Sequence, residues 1–263
     1  MKKTIIAMGG GFFGERRDTY DDYYPGIEQK FFPIETTPID TLIVASTGKK
    51  NPVILVITTA SEDGKHDVDL YMSAFRKQYE SIGAKVEELR LIQWQESYEE
   101  VAAKITRADA VYVSGGDTTL LIKTWRKFGV DKLLRAAYES GTVMSGLSAG
   151  ACCWFDFFVR APQDVSPYKQ GALGWVEGLL CVHFNTEKNR QSPFKSILKE
   201  DASLVGIALD EHAAIEIVDD EYRIHTYAED SFARKCYWDN EEYVVEKLKE
   251  VESFSSMKDL KKS

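Results

Sequence analysis

The stretch that decides the fold is DAVYVSGGDTTLLIKTWRKFGVDKLLRAAYESGTVMSGLSAGACCWF, residues 109–155. It begins with a short apolar run at 109–116, passes through two amphipathic stretches, and returns to a second apolar run at 141–147. Strands that are apolar throughout and separated by helices are typical of a parallel sheet that is covered on both faces. This stretch therefore predicts an α/β fold.

The same alternation extends toward the N-terminus. Further β-rich runs predict strands at 41–46, 53–60 and 85–92. Apolar stripes at helical spacing predict helices at 67–81, 98–107, 118–128 and 131–140. We therefore expect a largely parallel sheet with helices on both faces.

The pattern changes after Ser148. A helix from Ala149, a loop over 161–174, a strand at 178–184 and a helix near 192–200 are followed by short strand-like runs joined by acidic turns. Such runs predict β-hairpins added at the sheet edge in the C-terminal part. Since no shift in composition marks a boundary, we expect residues 1–263 to form a single domain.

Composition and charge exclude several classes of function. The chain has 44% hydrophobic and 29% charged residues, and 33 basic against 42 acidic residues give a formal charge of −9. Without a basic block, nucleic acid is not expected as a partner. No run approaches the roughly 18 apolar residues of a membrane span, and the apolar start is too short for a signal peptide. These features predict a cytoplasmic protein.

The cysteines do not suggest a metal centre. Cys152, Cys153, Cys181 and Cys236 form no CxxC pair, and reduced, buried thiols are usual in the cytoplasm. A zinc site built from Cys181 and a nearby histidine would not have the ligand spacing of a zinc finger. No metal and no cofactor are therefore expected.

A glycine-rich turn, Gly9 to Gly14, matches the pattern GxGxxG. A dinucleotide fingerprint must open a helix, but the segment that follows is charged, aromatic and interrupted by Pro25 and Pro33. The turn is better interpreted as the border of an active-site crevice, with Gly10 close to the substrate.

Residues Gly146 to Gly150 spell GxSxG between an apolar strand and a helix. This is the context of a nucleophile elbow, in which small neighbours permit a sharp turn and leave a serine hydroxyl exposed. The Ala149 N–H, at the start of the helix, is then free to face a developing oxyanion. Alternatively, the glycines serve only a tight turn.

A serine nucleophile needs a base, and the chain has four histidines. His183 ends an apolar strand, which would place it at the carboxyl edge of the sheet, where α/β active sites assemble. The orienting carboxylate is also expected at a strand end, and Asp210 and Glu211 close the run LVGIALD. Glu211 is favoured, with Asp210 as the alternative.

A second glycine turn, SGGDTT at 114–119, also follows an apolar strand and opens a helix. Asp117 or Thr118 would cap that helix. Gly115 and Gly116 would in addition let backbone N–H groups approach a substrate carbonyl. The capping role and the functional role are compatible.

Taken together, these motifs resemble the peptidase E family of serine peptidases, which includes aspartyl dipeptidase and cyanophycinase. The matching segments are MGGG at 8–11, VSGGDT at 113–118, GLSAGA at 146–151, LLCVHF at 179–184 and GIALDEHAA at 206–214. The resemblance implies a fold similar to class I glutamine amidotransferases. It also implies a Ser148–His183–Glu211 triad, with the N–H groups of Gly116 and Ala149 as the oxyanion hole.

The sequence departs from the family where substrates are selected. Asp117 stands where asparagine is common, and HFNTEKNR replaces the arginine-rich segment that follows the histidine in cyanophycinases. Arg190 remains a candidate for holding a substrate carboxylate through its bidentate fork. The natural peptide, the residue preference at the scissile bond and the choice between monomer and homodimer are left open.

The predicted function is therefore a serine peptidase of the dipeptidase E type, acting on short peptides. An alternative enzyme is an amidotransferase-like acyl hydrolase, for which Cys152, one helical turn beyond the elbow, is the competing nucleophile. The other alternative is a catalytically silent protein that binds a peptide or a small ligand in the same crevice.

Overall fold

The computed structural model of the chain describes residues 1–11, 36–62, 68–92, 96–162 and 165–262. Its larger sheet has eight strands in the order β14-β11-β10-β1-β5-β4-β2-β3. Five neighbouring strands of this sheet, in the spatial order β1, β5, β4, β2 and β3, run parallel to one another. They are β1 (Thr4–Met8), β2 (Val53–Ile57), β3 (Lys85–Leu89), β4 (Ala110–Val113) and β5 (Val143–Leu147).

An antiparallel extension completes this sheet. β10 (Ala213–Val218) pairs with β1, β11 (Glu221–Thr226) forms a hairpin with β10, and the short β14 (Ser255–Ser256) lies outermost. The hairpin expected at the sheet edge is therefore present here.

A second sheet has six strands in the order β13-β12-β9-β8-β6-β7. Its three central strands, β9, β8 and β6, are parallel, and the outer ones are antiparallel. The strands are β6 (Phe155–Arg160), β7 (Tyr168–Gly171), β8 (Val176–Cys181), β9 (Gly206–Leu209), β12 (Ala233–Asp239) and β13 (Glu242–Leu248). The largest buried cluster contains side chains from both sheets, among them Ile5 and Leu180.

Helices cover both faces of the larger sheet. They are α1 (Thr37–Ser46), α2 (Val68–Ser81), α3 (Tyr98–Arg107), α4 (Thr118–Phe128), α5 (Val130–Glu139) and the one-turn α6 (Ala149–Cys152). A further helix, α7 (Gln191–Glu200), packs against strands of the second sheet. Alternate residues of β1 show the two faces, since Ile6 packs with Ile43 of α1 while Ile5 belongs to the cluster that holds Val101 of α3. The α/β fold with a largely parallel sheet and helices on both faces is confirmed.

Several helix predictions are confirmed at their boundaries because their ends carry local signals. α3 begins with a capping box in which the Ser97 side chain accepts from the Glu100 N–H and the Glu100 carboxylate accepts from the Ser97 N–H. α4 begins after Asp117, whose side chain accepts from the N–H groups of Thr119 and Leu120.

The strand predicted at 41–46 is wrong, because this segment is the second half of α1. Its run of β-branched residues resembles a strand, whereas the buried side chains Ile39, Asp40 and Ile43 follow helical spacing. Pro38 in the first turn is also compatible with a helix start. Packing of this face against the sheet overrides the local preference for strand.

The helix expected from Ala149 is only one turn long, and the chain then enters β6. The predicted loop over 161–174 contains β7. The last part of the GxGxxG stretch and His66 lie outside the described residues.

Candidate active site

Strand ends from both sheets meet at one place. Ser148 follows β5 of the larger sheet, whereas His183 and Glu211 follow β8 and β9 of the smaller one. The segment after β1 joins them, because the Ser148 N–H donates to the Met8 carbonyl at 3.0 Å and the His183 N–H donates to the Gly9 carbonyl at 3.1 Å. The backbone thus fixes the separation of serine and histidine.

The three side chains form a hydrogen-bonded relay. His183 Nε2 lies 2.7 Å from Ser148 Oγ, and His183 Nδ1 lies 2.5 Å from Glu211 Oε1. All three residues are partly accessible to solvent. With Nδ1–H donating to the carboxylate, Nε2 has a lone pair that can accept the serine proton.

Ser148 sits on a strained turn between β5 and α6. Its φ of 55° and ψ of −109° are uncommon for a residue with a side chain. Gly146 and Gly150 make the turn possible, since a Cβ on Gly146 would lie 2.4 Å from the Gly150 carbonyl oxygen and one on Gly150 would lie 2.1 Å from that of Val113. The glycines of the GxSxG pattern therefore permit close packing of backbone on backbone.

Gly10 lies against the histidine and the glutamate. A Cβ at this position would be 2.1 Å from Glu211 Oε2 and 2.7 Å from His183 Nδ1, so only glycine fits here without displacing the pair. The Gly10 carbonyl accepts hydrogen bonds from the Tyr227 hydroxyl at 2.8 Å and from the His212 N–H at 3.1 Å. The predicted contact of Gly10 with substrate stays a prediction.

Three residues to which no sequence pattern pointed hold Glu211 in place. The Glu211 N–H donates to Asn185 Oδ1 at 2.8 Å, and Ser231 Oγ donates to the Glu211 carbonyl at 2.6 Å. Thr186 Oγ1 donates to Glu211 Oε1 at 3.3 Å, on the oxygen that His183 also contacts. Asn185 and Thr186 directly follow the LLCVHF block. Their closeness to His183 in the sequence is the feature that could have identified them as site residues.

Asp210, the alternative orienter, has different partners. It is fully buried and accepts from Arg234 Nη1 at 2.6 Å and from the Phe232 N–H at 3.0 Å. The carboxylate within hydrogen-bond distance of His183 is therefore that of Glu211.

The SGGDTT turn lies beside the serine. A Cβ on Gly115 would be 3.5 Å from that of Ser148. Within the described parts of the chain, the N–H groups of Gly116 and Ala149 have no backbone acceptor. Amides without a backbone acceptor near a serine hydroxyl are candidate donors for an oxyanion hole.

Asp117 has two kinds of contact. It caps α4, and its other carboxylate oxygen lies 3.3 Å from Arg160 Nη2 at the end of β6. Arg160 also contacts Gln170 Oε1 and the Tyr168 hydroxyl, at 3.3 and 3.4 Å. No sequence pattern pointed to Arg160, because the contact joins residues far apart in the chain.

Arg190, the predicted carboxylate-binding residue, is largely buried and already paired. Its Nε donates to Glu187 Oε2 at 2.6 Å and its Nη1 to the Val159 carbonyl at 3.2 Å. A substrate carboxylate would have to use the remaining donors of the guanidinium group.

The thiols are poorly suited to nucleophilic chemistry. All four cysteines are free and buried, and burial raises the pKa of the Cys152 thiol to about 12. The thiolate is the reactive form, so Cys152 stays protonated near neutral pH. Within the described ranges, no group of three or more histidine, cysteine or acidic residues is arranged to hold a metal ion.

Solved structures share this fold. A peptidase from an acI-B1 actinobacterium superposes with a TM-score of 0.70 and 17% identity, covering 97% of each chain. A Listeria monocytogenes EGD-e protein assigned to peptidase E superposes with a TM-score of 0.59 and 21% identity, covering 87% of this chain and all of the other. In the described part of the chain, no helix is long and apolar enough to cross a membrane.

Sequence comparison identifies the family. The uncharacterized peptidase YgaJ of Bacillus subtilis is 28% identical over 220 residues, which cover 83% of this chain and 85% of YgaJ. The uncharacterized peptidase Lmo0363 of Listeria monocytogenes is 30% identical over 56% of this chain and 70% of its own length. The sequence model of Peptidase family S51 matches residues 34–225, so the chain belongs to peptidase family S51 and is a peptidase.

Proposed function

We propose that this peptidase is a serine enzyme that hydrolyses short peptides through Ser148, His183 and Glu211. The observation that carries the proposal is the relay from Ser148 Oγ through both ring nitrogens of His183 to Glu211 Oε1, with separations of 2.7 and 2.5 Å. A base within hydrogen-bond distance of the hydroxyl and an orienter behind the base are what activation of serine requires.

The relay suggests the following reaction. His183 Nε2 accepts the Ser148 proton as Oγ attacks the peptide carbonyl, and the amides of Gly116 and Ala149 bind the resulting oxyanion. The intermediate collapses, the amine leaves with the proton from His183, and an ester on Ser148 remains. Water then gives a proton to His183 as it attacks the ester, and His183 passes that proton to Ser148 Oγ as the acid leaves, which restores the free serine.

The family resemblance supports short peptides as the substrate class. We propose an exopeptidase of the dipeptidase E type, with Arg190, Asp117, Gly10 and Gly115 near the bound peptide. The buried, unpaired thiols support a reducing compartment such as the cytoplasm.

The two alternatives are less well supported. An amidotransferase-like enzyme would use a cysteine, but the Cys152 thiol is buried and its pKa is raised to about 12. A silent binding protein would have no need for the strained Ser148 backbone or for a histidine held between hydroxyl and carboxylate.

The test combines labelling with hydrolysis. A fluorophosphonate should label wild type at Ser148, and Ser148→Ala should lose both the label and the hydrolysis of Asp-X, Glu-X and neutral dipeptides. Cys152→Ala is the matched control and should keep both activities. Labelling at Cys152, or equal inactivity of wild type and Ser148→Ala on every dipeptide, would contradict the proposal.

A further inference from the structure

A 3-10 turn, Thr59–Ser61, follows β2 and is hydrogen-bonded to the glycine turn beside Ser148. Ser61 Oγ lies 2.8 Å from the Gly115 carbonyl oxygen and 3.0 Å from Ser114 Oγ. A hydroxyl has a single proton to donate, and the carbonyl can only accept. The direction of both hydrogen bonds is therefore fixed: the Ser114 hydroxyl donates to Ser61 Oγ, and the Ser61 hydroxyl donates to the Gly115 carbonyl.

We propose that Ser61 is a positioning residue for the oxyanion hole. The Gly115 carbonyl and the Gly116 N–H belong to the same planar, trans peptide group and point in opposite directions. By holding the carbonyl on one side, Ser61 directs the Gly116 N–H to the other side. The inference rests on the proposed function, in which that N–H binds the oxyanion.

The peptide group needs such a restraint because glycines flank it on both sides. Glycine has the widest backbone freedom, so a rotation of this peptide about its two neighbouring bonds meets little steric resistance. Gly116 has a φ of 132°, a backbone angle that residues with a side chain rarely adopt. Without Ser61, the amide would be free to sample directions in which it no longer points at the substrate.

The backbone N–H groups at the two ends of the turn are anchored independently of the Ser61 hydroxyl. The Ser114 N–H donates to the Ile57 carbonyl at 3.1 Å, and the Asp117 N–H donates to the Ala60 carbonyl at 2.9 Å. A Cβ on Gly116 would lie 2.1 Å from that same Ala60 oxygen. The 3-10 turn therefore packs closely against Gly116. It also holds the peptide groups on either side of Gly116, one through the Gly115 carbonyl and the other through the Asp117 N–H.

The burial of the hydroxyl chain supports a role in preorganisation. Ser114 is 1% exposed and Ser61 is only partly accessible, so water competes little for these bonds. Hydrogen bonds in series strengthen one another. An oriented amide lowers the barrier only if it is already aligned when charge develops, which is what this chain provides.

The test measures how fast a fluorophosphonate labels Ser148, because the phosphonyl oxygen occupies the oxyanion hole during attack. We expect Ser61→Ala to slow labelling roughly tenfold, the effect of one neutral hydrogen bond, and Ser61→Thr to restore it by returning the hydroxyl. Ser81→Ala is the matched control, since Ser81 Oγ donates to the Gln78 carbonyl at 2.7 Å in α2. It should label at the wild-type rate.

Two further readouts separate positioning from a general structural effect. In dipeptide hydrolysis, Ser61→Ala should lower kcat with little change in KM, and by the same factor at every pH, because His183 and Glu211 are untouched. Thermal unfolding should match that of Ser81→Ala.

The outcomes distinguish this inference from the proposed function. A wild type that is neither labelled nor active would contradict both. A labelled wild type with an equally fast Ser61→Ala, or a loss that Ser61→Thr does not restore, would overturn the role of Ser61 alone.

Discussion

Asp210 and Glu211 are adjacent in the chain but have unrelated partners. Both follow the end of β9, where the Asp210 side chain contacts Arg234 and the Glu211 side chain contacts His183. Burial follows the same division, because Asp210 is fully buried whereas the Glu211 side chain is 19% exposed. Asp210 is therefore placed to stabilise the fold, whereas Glu211 is placed for the proposed role of orienting His183.

Exchanging each carboxylate for its amide should separate these roles. Glu211→Gln should lower kcat by about 10²- to 10⁴-fold, since an amide no longer stabilises the histidine cation, with little change in stability. Asp210→Asn should destabilise the protein by about 3 kcal/mol, because Arg234 loses its charged partner, while kcat per folded molecule is kept. Dipeptide kinetics and urea unfolding measure the two effects, and a large loss of kcat in Asp210→Asn would contradict the assignment.

At the scale of single elements, the close approach of the one-turn helix α6 to the end of β4 shapes the turn that carries Ser148. A Cβ on Gly150 would lie 2.1 Å from the Val113 carbonyl oxygen. Backbone cannot move aside as a flexible side chain can. The elbow therefore depends on the absence of a side chain at this position.

Gly150→Ala tests whether this close packing outweighs the intrinsic helix propensity of alanine. Helix propensity alone predicts that alanine stabilises α6 by up to about 1 kcal/mol, whereas overpacking predicts a loss of about 3 kcal/mol. We expect the loss, together with reduced labelling of Ser148. The control is Gly171→Ala in β7, because a Cβ at that position would lie 4.0 Å from its nearest neighbouring atom. Urea unfolding measures the stability of both variants. Equal stabilities would rule out the clash at Gly150.

Elements with strong local signals were predictable from sequence. The helices at 98–107 and 118–128 have amphipathic stripes and polar caps, and both boundaries are confirmed. Residues 41–46 lacked such a signal, because their β-branched run favours strand while burial against the sheet selects helix. The second sheet was not predicted, since apolar strands do not indicate which sheet they join.

At the scale of the whole molecule, a buried carboxyl couples stability to pH. Asp40 of α1 accepts from Thr36 Oγ1 and the Tyr79 hydroxyl, each at 2.9 Å, and from Gln78 Nε2 at 3.3 Å. Burial raises the pKa of Asp40 from its ordinary value of 3.8 to about 6. These contacts tie α1 to α2 on one face of the larger sheet.

The sign of the pH effect follows from linkage. Between pH 4 and 6 the folded protein holds a proton on Asp40 that the unfolded chain releases, so stability falls as pH rises through this range, by up to about 3 kcal/mol. Asp40→Asn should lack this part of the pH dependence.

Urea unfolding at pH 4.5 and 7 checks this expectation. Exposed Asp220 provides the control, because Asp220→Asn changes the net charge equally without altering a buried carboxyl. The same pH dependence in Asp40→Asn and Asp220→Asn would show that Asp40 does not titrate in this range.

The sequence by itself determined the fold class, the elbow at Ser148 and the candidate base and orienter. These depend on local features: strand and helix periodicity, glycine spacing and polar residues at strand ends. The tertiary structure decided that the serine comes from one sheet and the histidine and glutamate from another, which of two adjacent carboxylates faces His183, and that Ser61 lies behind the glycine turn. Those outcomes depend on hydrogen bonds and close contacts between segments distant in the chain, whose partners no local pattern specifies.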